Sequence, residues 1–156
     1  MESHQNEKKY EELKKKLNLP DFKKLDREFE ISDLEDTNFL LNAIVRRIAE
    51  RADFYTTMLE EILQPDASNL YVMHEIRFFD EKDKKEMYDL YSRLMAFNRQ
   101  SIEVLLGTDD EIKANFINEL MGEWETIRKS LLVYVKKMKS SWNDITDVSD
   151  DVEYMG

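Results

Sequence analysis

Residues 36–63 read DTNFLLNAIVRRIAERADFYTTMLEEIL, and within them Leu41, Ile44, Ile48, Ala52, Tyr55, Leu59 and Ile62 follow at spacings of 3, 4, 4, 3, 4 and 3. A helix turns once every 3.6 residues, so this spacing puts all of them in one stripe; a strand would need alternation at every second residue. The stretch predicts a long amphipathic helix with one buried face. Asp36 or Thr37 can cap its start by accepting a hydrogen bond from a free backbone N–H. Gln64-Pro65-Asp66 ends it, because proline lacks the N–H that the next turn requires. About 26 residues at a rise of 1.5 Å give roughly 39 Å, a full bundle length, and Ala43, Ala49 and Ala52 allow a neighbouring helix to approach closely.

The same period extends in both directions. Toward the N-terminus, Tyr10, Leu13 and Leu17 make a narrow stripe over residues 6–17. Asn18-Leu19-Pro20 should stop it, and Pro20 opens a short second helix through Phe22, Leu25 and Phe29. Toward the C-terminus, SNLYVMHEIRFF over 68–79 predicts a short helix that is apolar nearly all round. Asp80-Glu81-Lys82-Asp83 then places carboxylates at a helix N-terminus, where the macrodipole favours them. That helix should run to Leu106, with Met87, Leu90, Tyr91, Leu94, Ile102 and Leu105 facing inward and Gly107 as its stop. Thr108-Asp109-Asp110-Glu111 has the form of a capping box. Beyond it Ile112, Phe116, Ile117, Leu120 and Met121 form an inner face. Gly122 allows a break, after which Trp124, Ile127, Leu131, Tyr134, Val135, Met138 and Trp142 continue the period, and Lys136, Lys137 and Lys139 collect at the C-terminal end.

The predicted fold class is all-α: an antiparallel helical bundle of three long helices, with short accessory helices at the N-terminus and between the first two long ones. Residues 1–35 form a helical arm packed on the bundle, 36–142 the bundle core, and 143–156 a flexible acidic tail holding five acids and no base.

Charge and composition narrow the function. The chain has 156 residues, with 23 Lys and Arg against 34 Asp and Glu, a net charge of −11. Such a field repels phosphate backbones and anionic membrane surfaces, which disfavours direct nucleic-acid binding. A hydrophobic content of 42% is enough for a core, so the charge does not read as disorder throughout. No cysteine is present, which excludes disulfides, thiolate metal sites and thiol nucleophiles. With no apolar signal core at residues 1–7 and no run of roughly 20 apolar residues, the expected location is cytoplasmic, without membrane association.

No catalytic constellation emerges. A ferritin-like centre needs Glu-x-x-His from two helices; the only histidines are His4 and His74, and Tyr71 stands three residues before His74. Gly107, Gly122 and Gly156 are too far apart for a phosphate-cradling loop, and nothing pairs a nucleophile with an oriented base. No cofactor, metal or catalytic residue is implied. What remains is binding. Tyr71, Met73, Phe78 and Phe79 combine adaptable and rigid contact area, and Asp150, Asp151 and Tyr154 lie in a tail that could enter a basic groove. These features point to a non-enzymatic protein–protein interaction module, an adaptor or regulatory bundle with a protein partner. The alternatives are an acidic DNA-mimic inhibitor of a nucleic-acid-binding protein and a carboxylate-metal enzyme. If Tyr71, Phe78 and Phe79 cannot all be covered within one chain, a homodimer would cover them.

Overall fold

A computed structural model describes residues 2–143. All the regular structure among them is helical, in agreement with the predicted class: α1 (Glu2–Lys14), α2 (Phe22–Phe29), α3 (Leu40–Leu63), α4 (Leu70–Glu75), α5 (Glu81–Leu106) and α6 (Asp110–Asn143), with single 3-10 turns at Ile31–Asp33 and Ile76–Phe78. The three long helices α3, α5 and α6 have 24, 26 and 34 residues. The chain divides into two compact units, Met1–Phe54 with Leu94–Glu125 and Tyr55–Arg93 with Thr126–Gly156. Each long helix contributes one stretch to either unit.

In the first unit, α1 is anchored by two side chains. Tyr10 is fully buried, its ring 5.3 Å from that of Phe22 and its hydroxyl donating to the Pro20 carbonyl at 2.6 Å. Burial raises its phenol pKa, helped by the nearby charges of Glu11 and Asp21. Asn6, also buried, donates through Nδ2 to the Leu34 carbonyl at 2.7 Å, and Lys9 pairs with Asp36. Asp21 caps α2, and the predicted Phe22, Leu25 and Phe29 are its buried face. At the other end of α2, Glu30 sits in the left-handed region at φ 52°, a conformation that costs a non-glycine residue roughly 1–2 kcal/mol. Arg47 of α3 holds it there, donating to the carbonyls of Phe29 and Glu30 at 2.9 Å each, and Arg51 reaches the Glu30 carboxylate at 2.8 Å. Leu41, Ile44, Ile48 and Ala52 are buried as their spacing requires. Phe29 packs on Trp124, ring centroids 4.9 Å apart.

In the second unit, Leu59 and Ile62 of α3, Met87 and Leu90 of α5, and Ile127, Leu131, Tyr134 and Met138 of α6 are buried with Val72 and Phe79. Asp80 and Asp83 form a reciprocal cap at the start of α5: the Asp83 N–H donates to Asp80 Oδ1 at 2.8 Å, and the Asp80 N–H to Asp83 Oδ2 at 3.1 Å.

Several local expectations are corrected. The reciprocal cap lies at Asp80–Asp83 and not at Thr108–Glu111; α6 is capped by Asp109, whose Oδ1 accepts from the Glu111 N–H at 2.9 Å. Ile112 is exposed because the buried stripe of α6 begins with Lys113, Phe116, Ile117 and Leu120; Lys113 lays its methylenes inward and its Nζ lies 3.8 Å from Asp110. Ile102 is 46% exposed, because the buried stripe of α5 runs through Leu94, Ser101 and Val104; one residue along a helix is about 100° around it. Gly122 does not break α6, which continues unbroken to Asn143. Trp142 is exposed at its C-terminal end.

Candidate interaction surfaces

The predicted apolar helix over 68–79 is in fact α4 followed by a 3-10 turn. Its entry is set by Asp66, whose carboxylate accepts from the backbone N–H of Ser68 at 2.9 Å and from its hydroxyl at 2.7 Å. These bonds lower the Asp66 pKa. Inward, Val72 and His74 are buried. His74 Nε2 lies 3.0 Å from the Ser141 carbonyl, and its ring is 4.0 Å from the ring of Trp142 and 5.4 Å from that of Phe78. His74 is thus a packed histidine that ties α4 to the last turn of α6. Trp142 Nε1 donates to Glu75 at 3.0 Å, which reinforces the same seam.

The residues predicted to meet a partner separate accordingly. Tyr71 is on the surface, its hydroxyl 3.4 Å from Glu61 Oε2. Met73 and Phe78 are half-buried. Phe79 is only 4% exposed and packs against Tyr134 at 6.3 Å, so it serves the core of its own unit and offers no surface to a partner. Asp150, Asp151 and Tyr154 lie outside the described residues.

A surface that sequence reading missed lies on α6 in the second unit. Residues 126–143 read TIRKSLLVYVKKMKSSWN, with five basic residues and no acid, so the acidic excess of the chain lies elsewhere. The helix buries Ile127, Leu131, Tyr134, Met138 and Ser141, and turns Leu132 (49% exposed), Val133 (62%), Val135 and Trp142 outward. Lys136 and Lys139 are exposed beside Leu132, at i+4 and i+7. Lys137 points the other way, donating to Asp83 Oδ2 at 2.6 Å with its Nζ 5.4 Å from the Phe79 ring. The face therefore sets exposed aliphatic side chains and lysines side by side. The signal was present in the run Leu131–Val135, where consecutive apolar residues cannot all face inward.

Open clefts of mixed charge lie among the described residues of the first unit. One, about 660 Å³, is lined by Asp36, Phe39, Arg46, Arg47 and Glu50 among others. Another, about 570 Å³, lies beside Lys9, Glu12, Lys15 and Lys16. Neither lining includes a histidine, and carboxylates lie beside the cations in both. A separate apolar group, Ile102, Leu106 (83% exposed) and Ile112, flanks the turn between α5 and α6. Among the described residues no three His, Asp or Glu side chains are gathered so that they could hold a metal ion, and no helix is long and apolar enough to cross a membrane. The chain matches no known protein family, no curated protein and no solved structure.

Proposed function

We propose that the chain is a non-enzymatic protein–protein interaction module, and that the outer face of α6 in the second unit receives an acidic segment bearing apolar side chains. The observation that carries this reading is the pairing of Leu132, Val133 and Val135, all exposed, with Lys136 and Lys139 on a chain of net charge −11. Solvent-exposed aliphatic side chains mark an interaction surface, and the lysines beside Leu132 and Val135 select an acidic partner and speed the encounter. The scaffold is part of the proposal: the long helices form an antiparallel bundle. In support, a three-residue turn joins α5 to α6, and in the first unit Phe97 meets Phe116 at 6.3 Å, as antiparallel neighbours do.

The test uses a fluorescent peptide of about 14 residues with leucines at helical spacing and glutamates elsewhere, the form in which a helix docks in a groove. The full chain should bind it with an affinity that falls as salt is raised. Leu132→Asp combined with Lys136→Glu should weaken it at least about tenfold, or ~1.4 kcal/mol. Equal binding by the variant, or binding of the native chain to anionic lipid vesicles in preference to the peptide, contradicts the reading.

A further inference from the structure

We infer that the occupant of the α6 face is the chain's own residues 144–156, which makes this acidic segment an intramolecular competitor of the partner. The inference rests on the reading of α6 as a docking surface and deepens it. Three observations support it. Residues 144–156 carry Asp144, Asp147, Asp150, Asp151 and Glu153 with no base, the charge complement of a face that exposes Lys136 and Lys139. Their apolar residues Ile145, Val148, Val152 and Met155 supply aliphatic side chains to meet the exposed Leu132 and Val135. The segment also begins where α6 ends. From Trp142 back to Leu132 is roughly 15 Å along a helix at 1.5 Å per residue, and thirteen residues cover that distance whether compact or extended. A tether this short supplies an effective concentration on the order of millimolar, so even a weak complementarity is occupied in the absence of a partner.

An acidic partner must then displace residues 144–156. Weakening the segment's charge should strengthen partner binding, whereas a merely solubilising segment would leave it unchanged.

The absence of native cysteine makes the test clean. A nitroxide label is placed at Ser149→Cys in the full ¹⁵N-labelled chain. The amide signals of Leu132 to Lys139 should fall to below roughly half of their intensity in the reduced control, and recover at 1 M salt, where screening acts within about 3 Å. Lys136→Glu with Lys139→Glu should abolish the broadening with helical circular dichroism unchanged, and adding Asp150→Lys with Asp151→Lys should restore it. In a second measurement, Asp150→Asn with Asp151→Asn should tighten binding of the acidic peptide described above by about threefold or more. Broadening confined to the residues next to Asn143 overturns the inference. So does broadening of ¹⁵N-labelled, unspun chains mixed with spin-labelled unenriched ones, which would make a second copy the occupant. The two readings fail separately: if the peptide binds but the label broadens nothing on α6, only the intramolecular occupant is lost; if the peptide does not bind even when Asp150 and Asp151 are neutralised, the docking surface itself is lost.

Discussion

Lys137 of α6 donates to Asp83 at 2.6 Å, and this pair sorts the lysines at the end of α6 into two kinds. Asp83 is the residue that closes the cap on α5, so Lys137 fastens α6 to the first turn of α5 in the second unit. Lys136, roughly 100° back around the helix, and Lys139, roughly 200° on, are left on the outer face beside Leu132. A charge cluster that a sequence shows as uniform thus divides into one structural lysine and two that define a surface.

The pair makes stability depend on acid in a defined direction. The hydrogen bond from Lys137 holds the Asp83 carboxyl below its ordinary value of 3.8; burial opposes it, and the Asp80 N–H adds to the lowering. A carboxylate with a depressed folded pKa contributes stability that is fully present above the unfolded value and is lost as pH falls through the folded one. Asp83→Asn keeps an acceptor for the cap but removes the charge. In urea denaturation it should cost about 0.2–1 kcal/mol at pH 7, as exposed pairs do, and the difference from the native chain should shrink below pH 4. A difference that persists at pH 2 would show that the charge is not its source.

Gly122 lies inside α6 on an exposed turn, and a Cβ built there meets nothing within 4 Å. Helical glycine costs roughly 1 kcal/mol relative to alanine. Gly122→Ala should raise stability by about 0.5–1 kcal/mol in chemical denaturation. A loss would mean that the helix needs the freedom of glycine there.

Arg47 and Glu30 offer a sharper contrast. Arg47→Ala leaves the Phe29 and Glu30 carbonyls without their cation and should cost about 1.5–3 kcal/mol. Glu30→Gly relieves the positive φ but gives up the exposed contact with Arg51, and should fall within about 0.5 kcal/mol of the native chain. If Glu30→Gly were as damaging as Arg47→Ala, the Arg51 contact would matter more than the backbone conformation.

The all-helical fold was legible because hydrophobic spacing reports directly on burial along α2 and α3, where Phe22, Leu25, Phe29, Leu41, Ile44, Ile48, Ala52, Leu59 and Ile62 went where expected, while Tyr55 is only half-buried and Thr56 is buried beside it. It was less legible where two apolar residues compete for one stripe. On α5, Ile102 looks a better core residue than Ser101, yet Ser101 is buried, its hydroxyl donating to the Asn98 carbonyl at 2.6 Å. Hydropathy alone cannot see a hydroxyl satisfied by its own helix. The corrected stripe makes its own prediction: Ile102→Ser should change stability by less than about 0.5 kcal/mol, while Leu94→Ala should cost about 2–5 kcal/mol. The candidate surface was hidden for a related reason. Phe79 is as apolar as Leu132, and only packing against Tyr134 distinguishes the aromatic that fills a core from the aliphatic left outside.

Chemical-shift mapping of the acidic leucine-bearing peptide on the ¹⁵N-labelled full chain tests the docking surface most directly. Amide shifts should concentrate at Leu132, Val133, Val135, Lys136 and Lys139, while Phe39 and Leu106, though more exposed than Leu132, should not move. Shifts centred on Phe39 and its cleft, on the Leu106 group, or on no site at all would contradict that placement.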